Sequence, residues 1–583
     1  MSQAADLARA ALSRGDLIGA YDIAMRAIVE GDSSSAVRHQ QLLALARLGD
    51  TDRAMELFTT FGLDRSADPH ERAIGARLLK DRALALPVGA ARSVAIERAY
   101  DAYDAIYRAS FDPFPGINAA TLAMLAGRMD RAQALAKEVL ADPAVAAGLD
   151  YYMAATRAEA LLILGRTEDV AEALASPAIG GSRDHGARST TARQLAAIAS
   201  LWRMDEKMRK SLLAPLTPPR VAHYCGHMFA ADPAAEARLK REIDAVLADQ
   251  SVGFAFGALA CGADLLFAEA ALARGIALNV VLPFEEEAFL AQSVRPGGGD
   301  WEARYRACVA RASGVTIASE MGFFGDPAQF GYGSRMAMGL ARLRAQHLGG
   351  ESVQIAVADG SAGEGPAGTM ADIASWTSQG GRSLTIDAGH VDRSLERPSV
   401  ASDGGYQRAL AAILFTDFAG FSTLAESAIP GFWDGVMRKV AEVLDGHGDA
   451  IECRNSWGDA LYAVAAEAPV AARVALELQD SLADFDYATL GLDGTGGMRI
   501  GVHYGPAYRA MDHITGRITY YGTEVSKAAR IEPVTPPGAV FVTEPFAAIL
   551  ALEASDEFAS RYVGRIPLAK KYGDHPMYRL SRA

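Results

Sequence analysis

The chain has 583 residues, half of them hydrophobic, with 57 Lys plus Arg against 71 Asp plus Glu and a formal net charge of −14. That length exceeds one hydrophobic core and calls for about three or four domains, while the acidic balance argues against a chain whose main work is binding nucleic acid. Four scattered cysteines without a CxxC pair exclude a disulfide framework or a zinc site, and no apolar run approaches the roughly 18 residues of a membrane span.

The N-terminal stretch MSQAADLARAALSRGD carries acidic residues early and lacks an apolar signal core, so a cytoplasmic protein with reduced thiols and no membrane span is expected. From residue 1 to about 211 the sequence is rich in Ala, Leu and Arg, with apolar positions three and four apart, which predicts helices throughout. A pattern recurs in which Gly15-Asp16 is followed by Ala20, and Gly49-Asp50 by Ala54, a period of 34. Gly127 with Ala132, and Gly165, continue it. Glycine supplies the turn between paired helices and small alanine permits close packing, as in a tetratricopeptide-like α-helical repeat solenoid. The segment FDPFPGINAATLAMLAG (Phe111 to Gly127) resembles a piece of the TRAFs-binding helical domain of some stress-signalling kinases. Solenoids present a concave surface, so a protein partner on the repeats is expected; a dimerisation or spacer arm is the plainer alternative.

After the Pro-rich break at Leu212 to Arg220, six β-rich runs (RVAHYCGHM, GFAFGAL, IALNVVLPF, GVTIASE, VQIAVADG, SLTIDA) alternate with helical stretches. This predicts a Rossmann-like doubly wound parallel sheet over 219–389. Ligands of such sheets bind beyond the carboxyl ends of the strands, which makes Gly226, His227 and the stretch Gly257 to Asp264 candidates, with the helix after it aiming its N-terminal dipole at a phosphate. The stretch GALACGADLLFAEAALARGIALNVVLPF resembles the nucleotide-sensing Rossmannoid group related to the LOG and DprA families, though it lacks the PGGxGT motif of the LOG enzymes. The resemblance implies a nucleotide-derived ligand; for His223 and His227 a core or loop position is the commoner role. Residues 390–408 read as a polar linker.

From 409 to 583 the predicted order is strand, helix, strand, turn, strand, helix, strand, the ferredoxin-like βαββαβ plan. Asp417 ends the first strand (ILFTDFAG) and Asp459 sits in a tight turn (NSWGDAL), so two carboxylates can meet at one edge as a divalent-metal site. The ordered blocks ILFTDFAGFSTLAE, WGDALYAV, RIGVHYGP and YYGTEVSKAARIEPVTPPG resemble the signatures of class III adenylate/guanylate cyclases. The resemblance implies that Asp417 and Asp459 bind two Mg²⁺ or Mn²⁺ ions and that a nucleoside triphosphate is cyclised to its 3′,5′-cyclic product. Phe418, Ala419, Gly420 and Phe421 would turn backbone N–H groups toward phosphate. Where the family has Asn and Arg four residues apart on one helix, this chain has Ser526 and Arg530; Lys570 and Lys571 stand where the family places a triphosphate-binding lysine.

The base-reading positions carry Asn455 and Thr519, which depart from both the adenylate and guanylate pairs. Thr519 favours adenine, and Asn455, with a donor and an acceptor, can read several bases. The family builds its sites between two catalytic domains, which implies a homodimer. Together these readings describe a multidomain α and α/β signalling enzyme using ATP and regulated by its N-terminal domains. The alternative is a weak or inactive cyclase-fold scaffold, motivated by Asn455 and Ser526.

Overall fold

The structure, a computed structural model, describes residues 2–360, 367–399, 407–492 and 497–583. The chain forms two compact units: Met1–Pro218 with His347–Gly349 and Tyr562–Gly564, and Pro219–Gln346 with Gly350–Arg561 and Arg565–Ala583.

The first unit is built from helix pairs, beginning with Gln3–Ser13 against Leu17–Val29 and Ser35–Leu48 against Thr51–Thr60. The repeat signal is physical. Gly15, Gly49, Gly127 and Gly165 all take left-handed φ, between 74° and 88°, where a side chain would be strained. The following Asp16 and Asp50 cap the next helices, accepting from the N–H groups of Gly19 and Arg53 at 3.1 and 3.2 Å. Ala20, Ala54 and Ala132 are fully buried five residues after their glycines, and Val170 fills the same place after Gly165.

The second unit holds two sheets. The first has strands β1 (Arg220–Gly226), β2 (Val252–Gly257), β3 (Ala277–Leu282), β4 (Gly314–Ile317), β5 (Ser352–Ala358) and β6 (Ser383–Asp387). Their order is β4-β3-β2-β1-β5-β6 and every pairing is parallel, so the chain reverses its direction of growth between β1 and β5. All six β-rich runs are strands. Of the stretch read as linker, 390–399 lies against this sheet domain, with Val391 buried and the Ala230 N–H donating to the Asp392 carbonyl at 2.9 Å; 400–406 lie outside the described residues.

The second sheet comprises β7 (Gln407–Ala419), β8 (Ile451–Trp457), β9 (Ala460–Ala465), β10 (Gly497–Met511), β11 (Ile518–Tyr521), β12 (Val540–Thr543), β13 (Phe558–Pro567) and β14 (Asp574–Arg582). Its order is β13-β14-β12-β10-β7-β9-β8, with β11 paired to β10. The inner four strands, β10-β7-β9-β8, with helices Arg438–His447 and Ala468–Ala483 as crossovers, are the ferredoxin-like core. The last four β-strands were not among the expected elements.

Helix Ala328–Leu348 packs on this second sheet domain. Tyr332 donates its hydroxyl to the Tyr504 carbonyl at 3.0 Å, and Arg335 pairs with Glu553. At Gly339 the backbone of helix Glu544–Glu553 comes so close that a Cβ would sit 1.9 Å from the Ala548 carbonyl oxygen. Among the described residues no helix is long and apolar enough to cross a membrane, and the four cysteines are free thiols, all buried.

Candidate active site

The alternation of β7 sets the metal end of the site. Phe418 is buried against Phe432 and Tyr487, with ring centroids 5.1 and 5.5 Å away, which turns Asp417 to the other face of the strand. Trp457 pairs with Ala460, leaving Gly458 and Asp459 as a two-residue turn with Gly458 at φ 65°. The Phe418 N–H donates to Asp459 Oδ2 at 3.2 Å and so ties the turn to the strand. Burial, and then the charge of Asp417, push the Asp459 carboxyl up to about 6.

Across the ladder, Arg499 of β10 stands directly opposite Asp417 and pairs with it. The same guanidinium is 3.0 Å from Glu532. Burial pushes Glu532 up to about 7; Arg499 pulls it down while Asp417 and Asp459 push it further up. Two neighbouring carboxylates, of which only Asp417 is paired with the Arg499 guanidinium, are the kind of oxygen donors that suit divalent cations. Among the described residues no cluster of three or more His, Cys, Asp or Glu could hold a metal. Arg499 and Glu532 were missed in the sequence. Arg499 was visible as the one charge in the apolar run MRIGVHYG, but the strand it faces was not.

The expectation for Phe418 to Phe421 needs correction. The Phe418 N–H is committed to Asp459, and Ala419 still belongs to β7, opposite Gly497. Gly420, at φ 95°, makes the turn, and Phe421 begins a short 3₁₀ segment, so the phosphate-facing reading narrows to these two. A second correction concerns Ser526 and Arg530. Helix Thr523–Ala528 holds Ser526, which is exposed, but Arg530 lies in the turn beyond its C-cap Ala529. The helix is six residues long because its chain must turn back to deliver Ile531, fully buried, into the core.

Arg530 and the lysines do come together. The Ala569 N–H donates to the Arg530 carbonyl at 3.4 Å, and the Tyr572 hydroxyl to the Thr523 carbonyl at 3.3 Å, pinning the Lys570-Lys571 turn to the segment that carries Ser526 and Arg530. Lys570 and Lys571 both take left-handed φ, 60° and 61°, which two consecutive side-chain-bearing residues adopt only under constraint. Both are exposed, and none of the three cationic side chains has a hydrogen bond or ion pair among the described residues.

Asn455 and Thr519 have different surroundings. Asn455 is exposed on β8 and opens to a groove of about 510 Å³ with Trp433, Ser456 and Arg517, whereas Thr519 lies beside the Cys453 thiol and the Tyr462 hydroxyl.

In the parallel-sheet domain His223 is a core residue, 1% exposed, hydrogen-bonded to Gln354 and stacked on Trp376. His227 follows β1, is buried, and lies 3.1 Å from Asp359. After Gly262, Asp264 in the first turn of helix Ala263–Ala273 is buried and accepts from the Ala260 N–H at 3.3 Å.

Two family models match the chain. Residues 406–581 match the Adenylate and Guanylate cyclase catalytic domain, and residues 7–123 match the Tetratricopeptide Repeats-Sensor model. Among solved structures, the adenylyl cyclase CyaB from P. aeruginosa is 16% identical, covering 30% of this chain and 96% of that one at a TM-score of 0.27. The guanylate cyclase domain of RhGC from Catenaria anguillulae, solved with GTP, is 16% identical over 30% and 98%, TM-score 0.26. An adenylate cyclase from Trypanosoma brucei is 22% identical over 29% and 87%, TM-score 0.24. No curated protein matches. The matches place an adenylate/guanylate cyclase catalytic domain over residues 406–581 and a tetratricopeptide sensor segment over residues 7–123.

Proposed function

We propose that the protein cyclises a nucleoside triphosphate, with ATP favoured, to the 3′,5′-cyclic nucleotide and pyrophosphate. The observation that carries this reading is the meeting of Asp417 and Asp459 at one sheet edge beside Arg499, inside the segment that matches the cyclase model. Mg²⁺ or Mn²⁺, held by these two carboxylates, would make the ribose 3′-hydroxyl acidic and neutralise charge on the triphosphate.

The chain's own groups account for the rest. With a cation on Asp417, Arg499 would keep its pairing with Glu532 and could turn its other N–H edge to a phosphate oxygen. Gly420 and Phe421 offer backbone N–H groups to the same phosphates. Arg530, with Ser526 on the preceding helix, meets charge developing at the α-phosphoryl group, and Lys570 or Lys571 holds the triphosphate tail. Asn455 and Thr519 read the base.

Ser526 and the lysines are exposed and Arg530 is half-buried, and the three cationic side chains have no ion pair among the described residues, which supports completion of each site by a second copy. Trp433 and Trp457, 49% and 54% exposed near the metal carboxylates, fit a homodimer surface. The helical unit and the parallel-sheet domain then act as regulatory parts, the first through a protein partner. Incubating purified protein with Mn²⁺ and ATP, GTP, CTP or UTP, followed by mass spectrometry, tests the reading; absence of cyclic product from all four overturns it and leaves the scaffold role.

A further inference from the structure

The parallel-sheet domain holds a cavity of about 580 Å³ beyond the carboxyl ends of β1, β2 and β3, lined also by helix Ala328–Leu348 and by the start of helix Thr369–Ser378, which follows β5. This volume is that of a small-ligand site. Its polar lining includes two buried aspartates beside His223, His227, Gln292 and Ser293. Asp264 and Asp372 both line it, each only 7% exposed. Asp264 Oδ1 has no hydrogen bond of normal geometry among the described residues, and Asp372 Oδ2 accepts only the Ser334 hydroxyl, at 3.0 Å, among the side-chain donors described. Burial drives both carboxyls up, Asp264 to about 7 and Asp372 to about 8, and the charge of Asp264 adds to the second shift. The Gly226 N–H also reaches the Asp264 carboxyl, but a buried carboxylate oxygen short of well-aligned donors costs free energy that a bound donor can offset.

Part of the apolar wall is aromatic. Phe323 and Phe330 lie with ring centroids 5.2 Å apart, and Phe289 and Tyr224 also line the space. Acidic groups together with ring faces are the surroundings that stabilise a desolvated organic cation. At the mouth stand Arg393, paired with Asp359, and Arg397.

We propose that this cavity binds a small guanidinium-type organic cation, its N–H groups on Asp264 and Asp372 and its planar face against the phenylalanines, and that helix Ala328–Leu348 passes the occupancy on to the cyclase domain. The helix has two working faces at the required spacing. Phe330, Gly333, Ser334 and Ala337 line the cavity, whereas Tyr332, Arg335 and Gly339 grip the cyclase domain through Tyr504, Glu553 and Ala548. A ligand on Asp372 competes for the oxygen that holds Ser334. Beside Tyr332, whose hydroxyl lies 3.3 Å from the Ala318 carbonyl, Ser319 donates to Glu524 at 3.2 Å, two residues before Ser526. The contact therefore ends on the helix that carries a proposed catalytic side chain.

Titration calorimetry on the full chain tests the binding half without relying on the cyclase reading. The probes are agmatine, a guanidinium without an acidic tail, L-arginine, which has one that can meet Arg393 or Arg397, and AMP. One-to-one binding of agmatine or L-arginine is expected, weakened at least about tenfold in Asp264→Asn and Asp372→Asn. Phe330→Ala, which removes a ring and leaves both acids, serves where an Asn chain does not fold and should weaken binding similarly. No heat from either guanidinium, binding of AMP alone, or unchanged binding in the variants overturns the proposal. For the second half, Tyr332→Phe should keep ligand affinity while the ligand's effect on cyclic-nucleotide formation, expected to be about 5- to 10-fold in wild type, disappears. An undiminished effect in Tyr332→Phe rules out this route.

Discussion

Arg499 stands directly across the β7–β10 ladder from Asp417, and its guanidinium neutralises the carboxylate expected to hold metal while also reaching Glu532 at 3.0 Å. Cation binding at Asp417 must therefore compete with a residue of the same chain.

That competition gives opposite effects in one variant. Arg499→Ala should bind Mn²⁺ more tightly than wild type in the absence of nucleotide, by about tenfold, and yet turn over about 10²-fold more slowly because a triphosphate contact is lost. Calorimetry with Mn²⁺ and a product assay measure the two. Weaker metal binding in the variant would show that Arg499 supports the metal site instead of competing for it.

Shared sites predict complementation. Asp417→Ala and Arg530→Ala proteins should each lose activity by about 10²- to 10³-fold and regain part of it when mixed, since one intact site assembles from the unmutated halves. Mixing at several ratios with a cyclic-nucleotide readout checks this, and no recovery at any ratio counts against a composite site.

The packing at Gly339 predicts a stability effect. An added Cβ would lie 1.9 Å from the Ala548 carbonyl oxygen, which is helix backbone and cannot swing aside. Gly339→Ala should destabilise the protein by about 1–3 kcal/mol, read as a lowered midpoint in urea. An unchanged midpoint would mean that the two helices separate at little cost.

The acidic cavity predicts a pH dependence. Asp264 and Asp372 have folded-state pKa values raised to about 7 and about 8, so the native protein holds protons that the unfolded chain releases above about pH 4. Their contribution to stability is full below about pH 4 and is lost as pH rises to about 8. Replacing both with Asn should flatten the fall in Tm between about pH 6 and about pH 8 relative to wild type. Parallel curves for the two proteins would contradict it.

Much of the local structure was legible because short-range rules decide it. The left-handed turns at Gly15 and Gly49, the capping Asp16 and Asp50, and the buried Ala20 and Ala54 follow from spacing alone. The six strands of the parallel sheet were marked by apolar runs between helical stretches, and Gly458-Asp459 by a two-residue turn between strands. The end of helix Thr523–Ala528 was misread because a four-residue spacing fits a helix whether or not the chain continues in one. Burial of Ile531 ends it, and burial is a tertiary fact.

What the sequence by itself determined is the inventory: helix pairs, a parallel sheet, and two aspartates each brought to the end or turn of a strand by residues within a few positions. Tertiary structure decided which of these meet. Period-two alternation tells which face of β10 Arg499 occupies but not that β7 lies beside it with Asp417 in register. Asp264 and Asp372 are over a hundred positions apart in the chain, and only the packing of their two helices on the parallel sheet brings both carboxylates to one cavity.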